Sequence, residues 1–335
     1  MRMLRRALLL SLAPLVLAAA APVRDERSAE GSLSLRGEPL ELVAARGSLW
    51  VLTCDTGCSG EAHNAIGRIV RIDPQRVRVV ESIRLRRPGA IAVGSKAVYA
   101  TDFWRDAVRR IDLRTRAVRR LKLELPFRFT ARDNRFLPED VAAGAGAVWI
   151  VTDRGALARV DPSLRRVIST VRLPLDAFGG MAAGRGRVWV SESLAGVYRV
   201  DPRTRPAVAR IRIPLAAGRF DAGMVVPAAI GVLVIGDETS GGVYTGRNVL
   251  VRVGYRDGEV KGFSPLPPGP LSVAFGKGSL WVSRSGGSSV ERIDPRTGRP
   301  VRRVRAKIGY ALAFAGDSLW TIFLDGTLRR LGPAS

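Results

Sequence analysis

Short runs of alternating apolar and polar residues recur along the whole chain, and turn residues separate them. The most regular run is apolar, three residues long, with a large side chain at its centre. Its copies stand at 49–51, 98–100, 148–150, 188–190, 232–234, 280–282 and 319–321. Short alternating runs bounded by Gly, Pro and Asp predict β-strands, and seven copies predict a repeat protein.

A second marker sets the length of the repeat. An Asp closes the third strand of most copies, usually followed by Pro, and the first four of these are Asp73, Asp112, Asp161 and Asp201, separated by 39, 49 and 40 residues. A period near 40 residues built from short strands is typical of propeller blades. The pattern predicts an all-β fold, a seven-bladed β-propeller of four-stranded antiparallel blades.

The sixth copy shows the expected order of strands within a blade. Residues 271–275 are small and apolar, as the innermost strand requires, and the outermost strand at 301–306 alternates with Arg. The seventh copy ends before an outer strand, whereas residues 32–36 precede the first inner strand. We therefore expect this N-terminal strand to close the ring, with one propeller domain over 31–335.

The first thirty residues predict export. A basic start, an apolar run and an Ala-rich end indicate a signal peptide over 1–20, and residues 21–30 are expected to form a polar tether. The apolar run is shorter than the roughly 20 residues of a transmembrane helix. The predicted location is therefore secreted or extracytoplasmic, with no transmembrane segment.

The chain carries 54 Lys and Arg against 30 Asp and Glu, a net charge of +24. Most of the excess falls on predicted outer strands and turns. It indicates either attraction to anionic polymers and membrane surfaces or a solvated rim produced by composition alone. No aromatic stacking series accompanies these Arg residues, so a specific nucleic-acid ligand is not expected.

Insertions are predicted on one face only. In a propeller, the loops between second and third strands and the linkers between blades share one face, here called the loop-rich face. The insertions at 54–65, 124–138, 219–224 and 237–248 all fall there, and such loops display binding groups. The candidate ligand-binding residues are Asp102, Trp104, Phe127, Phe129, Arg132, Phe136, Phe178, Phe220, Tyr244, Arg284 and Tyr310.

Carboxylates recur where the second strand of each blade ends on that face. The sequence predicts an acidic mouth there, and its candidate metal ligands are Asp102, Asp153, Glu192 and Asp237. Oxygen ligands suit Ca²⁺ or Mg²⁺, whereas no cofactor is expected if the carboxylates instead cap loop N–H groups and pair with Arg. Both interpretations are open from sequence.

Cys54 and Cys58 are the only cysteines, and His63 is the only histidine. In an exported protein two nearby cysteines predict a disulfide, with a metal site involving His63 as the alternative. A single His excludes mechanisms that need two, and no Gly-x-Ser-x-Gly run supports a Ser-His-Asp triad. Acid–base chemistry would fall to carboxylates or Tyr.

The runs at 88–94, 278–282 and 292–298 resemble the repeats of streptogramin lyase-like and YVTN-type propellers, and the similarity extends over nearly the whole mature chain. In the lyases, a His that opens an inner strand and a Glu that leaves the second strand act beside Mg²⁺. Glu192 matches that Glu, whereas the inner strand here opens with Phe-Gly-Gly-Met at 178–181. The YVTN-type resemblance implies an exported or surface binding protein.

These observations together predict a monomeric, exported propeller without catalytic activity. It would bind a small ligand, or an envelope or secreted partner, on the loop-rich face. The alternative is a metal-assisted lyase or hydrolase that uses the acidic mouth.

Overall fold

The repeated strands form seven separate sheets in the computed structural model, and these sheets are the blades of a propeller. The structure describes residues 24–27, 31–56, 65–102, 105–126, 137–174, 178–192, 196–202, 207–215, 219–240, 243–284, 289–307 and 309–333. The first strand of each blade contacts the first strand of the next, so these strands are innermost. The all-β, seven-bladed prediction is confirmed.

Two short strands precede the blades: β1 (Arg24–Arg27) and β2 (Ser32–Ser34). Blade 1 consists of β3 (Glu38–Ala45), β4 (Ser48–Thr56), β5 (Ile66–Asp73) and β6 (Arg78–Arg86). Blade 2 consists of β7 (Pro88–Val93), β8 (Ala97–Asp102), β9 (Ala107–Asp112) and β10 (Val118–Lys122). Blade 3 consists of β11 (Pro138–Gly144), β12 (Ala147–Thr152), β13 (Ala156–Val160) and β14 (Val167–Arg172). All three blades are antiparallel.

The remaining blades repeat the same order of strands. Blade 4 consists of β15 (Phe178–Gly184), β16 (Arg187–Glu192), β17 (Gly196–Asp201) and β18 (Ala207–Ile211). Blade 5 consists of β19 (Arg219–Ala228), β20 (Gly231–Ser240), β21 (Val243–Val253) and β22 (Val260–Leu266). Blade 6 consists of β23 (Pro270–Gly276), β24 (Ser279–Arg284), β25 (Ser289–Ile293) and β26 (Pro300–Arg305). Blade 7 adds β27 (Ala311–Ala315), β28 (Ser318–Ile322) and β29 (Thr327–Pro333).

The N-terminal strand β2 supplies the missing outer strand of blade 7. It pairs with β29 in antiparallel register, with Leu33 opposite Leu328. This closure leaves no interruption in the ring of blades. The residues predicted as a tether include β1, which pairs in parallel with β26 of blade 6. The predicted signal peptide lies outside the described residues.

The hydrophobic core consists of clusters between neighbouring blades. Trp149 of blade 3 packs against Val188 and Val190 of blade 4. Trp320 of blade 7 packs in the same way against Leu49 and Val51 of blade 1. These indoles are fully buried, and burying one aromatic side chain removes 150–250 Å² from water. Each central aromatic of the repeat therefore fills the space between its own blade and the next.

In several blades, an Arg of the third strand lies over the buried indole. Arg159 is the cross-strand partner of Trp149, and its guanidinium carbon lies 5.7 Å from the ring centroid. Its Nη1 also donates to the carbonyl oxygen of Pro202 in blade 4, at 2.7 Å. Blade 2 repeats the contact, because Arg110 donates to Pro162 of blade 3 at 3.1 Å. This blade-to-blade Arg joins the central aromatic of one blade, Trp149 or Tyr99, to the turn of the next.

The recurring Asp caps the turn after the third strand. Asp112 Oδ1 accepts hydrogen bonds from the backbone N–H groups of Arg114 and Thr115, each at 3.0 Å. Asp294 accepts from Arg296 at 2.8 Å. These bonds hold the pKa of Asp112 well below its ordinary value. The turns between first and second strands are also short. In blade 1 this turn consists of Arg46 and Gly47, and both have positive φ, as a two-residue hairpin requires.

We expect Arg159→Met to lower the free energy of unfolding by about 1–3 kcal/mol. Met keeps an apolar stem but loses the cation–π contact and leaves the Pro202 carbonyl without this donor. Urea unfolding measures the change. Arg119→Met, on the exposed face of β10, is the control and should change stability by less than about 0.5 kcal/mol. Equal losses in both variants would contradict the role of Arg159.

Candidate functional site

The mouth of the central channel is a cavity of about 390 Å³ on the loop-rich face. The lining residues lie in six of the seven inner strands or immediately before them. Tyr310 and Leu271 stand at inner-strand openings and are 43% and 41% exposed. The volume lies in the range of small-ligand pockets. No Lys or Arg is among the lining residues.

Two carboxyl groups line this cavity, those of Glu41 and Asp140. Each follows a β-bulge at the start of its inner strand, and Ser272 holds the same place in blade 6. A bulge re-aims the side chain that follows it. Sequence analysis did not single out these carboxyls. Alignment of the repeats could have revealed these carboxyls. Blades 2 and 4 carry Ala90 and Gly180 at the equivalent position, so a carboxyl there departs from the repeat.

The three side chains also link neighbouring blades. Glu41 Oε2 accepts a hydrogen bond from the backbone N–H of Ile91 in blade 2, at 2.6 Å. Ser272 Oγ accepts in the same way from Leu312 in blade 7, at 3.0 Å. Asp140 accepts from the N–H of Met181 in blade 4. These groups stabilise the inner ring while facing the cavity.

The environment of the two carboxyls disfavours their charged forms. Burial and the nearby Asp140 raise the pKa of Glu41 to about 8. Burial also raises the pKa of Asp140, to about 7. The pair therefore holds protons near neutral pH, although the backbone hydrogen bonds act in the opposite direction. A carboxyl that holds a proton can donate a hydrogen bond to a ligand, and an ionised one can accept.

The predicted acidic mouth has a different character. Asp102 has no exposed side-chain surface, and its oxygens accept from Arg87 at 2.9 Å and Arg109 at 2.6 Å. Glu192 is 1% exposed and lies 3.7 Å from Arg210. Both carboxylates are therefore paired with Arg.

The other two predicted metal ligands differ from these. Asp153 accepts a hydrogen bond from the backbone N–H of Leu137 at 3.0 Å, and burial raises its pKa. Asp237 accepts from the side-chain amide of Asn248, and burial together with Asp221 raises its pKa. Within the described ranges, no three His, Cys, Asp or Glu side chains form a group that could hold a metal ion.

The predicted ligand-binding residues are divided between core and surface. Phe220 is 2% exposed and belongs to the core of blades 4 and 5, because the predicted loop at 219–224 is the start of β19. Phe178 is half-buried against the core of blades 3 and 4. Arg284 pairs with Glu291 of the neighbouring strand. Trp104, Phe127, Phe129, Arg132 and Phe136 lie outside the described residues, as do Cys58 and His63.

The disulfide prediction stays open. Among the described residues no cysteine is free, but Cys58 is not described. The pairing of Cys54 with Cys58 therefore remains a prediction. The metal site with His63 is likewise untested.

Among the described strands, those of blade 5 extend furthest on the loop-rich face. The predicted insertion at 237–248 is strand rather than loop, because β20 extends to Ser240 and β21 begins at Val243. The extension adds about three residues, or roughly 10 Å, beyond the ends of the second strands of blades 2, 3, 4 and 6, whereas β4 of blade 1 continues almost as far, to Thr56. Val243 and Tyr244 are 69% and 62% exposed, and Tyr244 OH donates to Asp221 at 2.6 Å. We call residues 237–248 the blade 5 hairpin.

A groove of about 720 Å³ lies beside this hairpin. The linker residues Pro214 and Leu215 form one side, and Phe263 of the outer strand forms another. Glu238 and Arg247 of the hairpin lie 3.8 Å apart and supply charge to the same groove. An apolar groove with a few polar groups at its edge is suited to binding a side chain of a partner.

No protein-family model matches the chain, and no curated protein matches it significantly. Solved structures match its fold. A chain of the hydrazine synthase of Kuenenia stuttgartiensis has a TM-score of 0.62 and 11% identity, over 88% of this chain and 96% of that one. BamB from Moraxella catarrhalis has a TM-score of 0.57 and 11% identity, over 90% of this chain and 98% of that one.

Similarity at this identity concerns the fold alone, and it agrees with the seven-bladed architecture. The resemblance to streptogramin lyases and YVTN-type proteins stays a prediction. In the part of the chain that the structure describes, no helix is long and apolar enough to span a membrane.

We expect Asp102→Asn to lower the free energy of unfolding by about 3–5 kcal/mol, because it leaves Arg87 and Arg109 without their shared counter-ion. Asp153→Asn is the matched control. Its amide oxygen still accepts from Leu137, so the loss should stay below about 1 kcal/mol. Urea unfolding of both variants checks the difference. A tolerated Asp102→Asn would contradict a structural role for this carboxylate.

We expect Glu41→Gln to change how stability depends on pH. The raised pKa of Glu41 means that the folded protein binds a proton more tightly than the unfolded chain, so wild-type stability falls as pH rises from about 4.5 to about 8. The variant should gain roughly 4 kcal/mol over wild type at about pH 9, relative to about pH 5. Thermal unfolding across pH measures it.

The exposed Glu259 provides the control for this experiment. Glu259→Gln removes one carboxyl outside the channel and should leave the pH dependence of stability close to that of wild type. A difference between Glu41→Gln and wild type that does not vary with pH would contradict the assignment.

Proposed function

We propose that this protein is an exported, non-catalytic binding propeller that takes its ligand or protein partner on the loop-rich face. The observation that carries the proposal is the blade 5 hairpin, which departs from the repeat and projects exposed apolar side chains. Side chains of this kind, placed on a rigid scaffold, are suited to recognition.

The cavities support the same face. The channel mouth and the groove beside the hairpin both open on the loop-rich face. The residues that line them lie at the strand ends that the loops and linkers of this face connect. A partner that covers this face would contact the hairpin at the side and Tyr310 at the centre. The export part of the proposal rests on the signal-like start of the sequence.

The chemistry of the described carboxylates favours binding over metal-assisted catalysis. Asp102 and Glu192 already have Arg partners, and a divalent ion would have to displace these cations. The carboxyls that face the channel are used as blade-to-blade acceptors. We therefore retain no catalytic residue in the proposal.

Site-specific photo-crosslinking in cells tests the proposal. A photoreactive amino acid placed at Val243 should give a covalent adduct with one partner, identified by mass spectrometry. The control is Val118, which is 58% exposed on outer strand β10, against 69% for Val243. The same adduct from Val243 and Val118 would overturn binding through this face. Tyr310 is a second crosslinking position on the face, and absence of an adduct from both Val243 and Tyr310 would also overturn it.

A further inference from the structure

The face opposite the loop-rich face is flat and basic. It consists of the turns between first and second strands and between third and fourth strands, and we call it the turn face. The exposed cations among its described residues are Arg46, Arg76, Lys96, Arg114, Arg116, Arg165, Arg166, Arg185, Arg256, Lys277, Arg296 and Arg299. The exposed acids of these turns are Asp257, Glu259 and Asp317.

The other acids of the turn face are held within the turns. The recurring Asp residues are half-buried, and Asp73, Asp112, Asp161 and Asp294 accept backbone N–H groups of their own turns. Their charge is directed inward, whereas the cations project from the turn tips. The Arg residues stacked on the indoles lie behind these tips and add to the positive potential.

The geometry of the face indicates a planar partner. Among the described turns, both kinds are short in blades 1, 2, 3, 5 and 6, and the first turns of blades 4 and 7 are short as well. The described turns therefore offer no cleft for a polymer strand. A flat surface can meet cations from several blades at once on this face, whereas the curved rim of outer strands presents only one or two blades to a plane.

Charge also orients the molecule. The described turns of the turn face expose twelve cations and three acids, whereas the loop-rich face mixes both signs, with exposed Arg105, Arg219 and Arg247 beside exposed Glu124 and Asp153. An anionic plane would therefore attract the turn face more strongly than the opposite face. We propose that the turn face docks on the phosphate groups of an anionic lipid bilayer, with the loop-rich face directed away from it.

Vesicle co-sedimentation with the full chain tests this inference. Wild type should bind phosphatidylcholine vesicles that contain phosphatidylglycerol, and it should leave pure phosphatidylcholine unbound. Salt at about 1 M, which shortens the screening length to about 3 Å, should release it. Absence of binding, or equal binding to both kinds of vesicle, would overturn the proposal.

Two variants of equal charge locate the surface. Lys96→Gln, Arg165→Gln, Lys277→Gln and Arg296→Gln combined remove four exposed turn cations, and should weaken partitioning on the order of 100-fold. Arg84→Gln, Arg86→Gln, Arg119→Gln and Arg212→Gln remove four exposed cations near or on the outer strands. This rim variant should bind within about threefold of wild type.

The remaining outcomes are equally decisive. Equal weakening by both variants would show that net charge acts without a preferred face, which overturns the docking assignment. Displacement from vesicles by an equal phosphate concentration of soluble polyphosphate would show affinity for any polyanion and would also overturn it. Thermal unfolding of each variant confirms that it is folded. The rim variant controls for the loss of four positive charges. Failure here leaves partner binding by the loop-rich face untouched.

Discussion

The structure depends on the contact between one blade and the next. A single four-stranded blade has two apolar faces and cannot bury either alone, so every blade needs a neighbour on each side. The indole of Trp149 fills one such interface, and Arg159 covers the indole while donating to the following blade. Closure by β2 extends this rule to the last interface, because Leu33 and Leu328 then lie in one sheet beside blade 1.

The same rule explains why the channel mouth is chemically unusual. Inner strands crowd around the axis, and their N–H groups at the bulge need acceptors that reach from the preceding blade. Where the preceding blade supplies Glu41 or Asp140, the acceptor is a carboxyl that also faces the cavity. Ser272 makes the equivalent bond without charge. The acidity of the channel thus results from a choice among acceptors, and a Ser would have sufficed for the fold.

The sequence predicted the repeat well because its two marker residues, the central aromatic and the turn Asp, have the same structural role in most copies. The central aromatic fills an interface, and the recurring Asp caps a turn, so both recur and reveal the period. The site was harder to predict. Asp102 looked like a ligand because its position recurs, but its carboxylate is paired with Arg87 and Arg109, which spacing along the chain does not show.

Errors at blade 5 have a related cause. Gly, Thr and Ser at 236–242 are typical of loops, yet here β20 and β21 continue together as a hairpin, and Phe220 enters the core beside them. Residues 57–64 and 127–136, where the sequence places further binding groups, are outside the described structure and keep their status as predictions.

Blade 5 is also where the interface rule is relaxed. Leu233 stands in place of the central aromatic, and the buried residues of its cluster with blade 6 are aliphatic, with Phe275 packed against them. The cross-strand partner, Arg252, therefore has no indole to cover. Blade 5 thus shows both an altered interface and the longest hairpin of the described ring. The turn face does not depart from the repeat in this way, because each of its described turns is fixed by a capping Asp or a short hairpin. A propeller built like this can vary recognition at one face while conserving the turns and charge of the other.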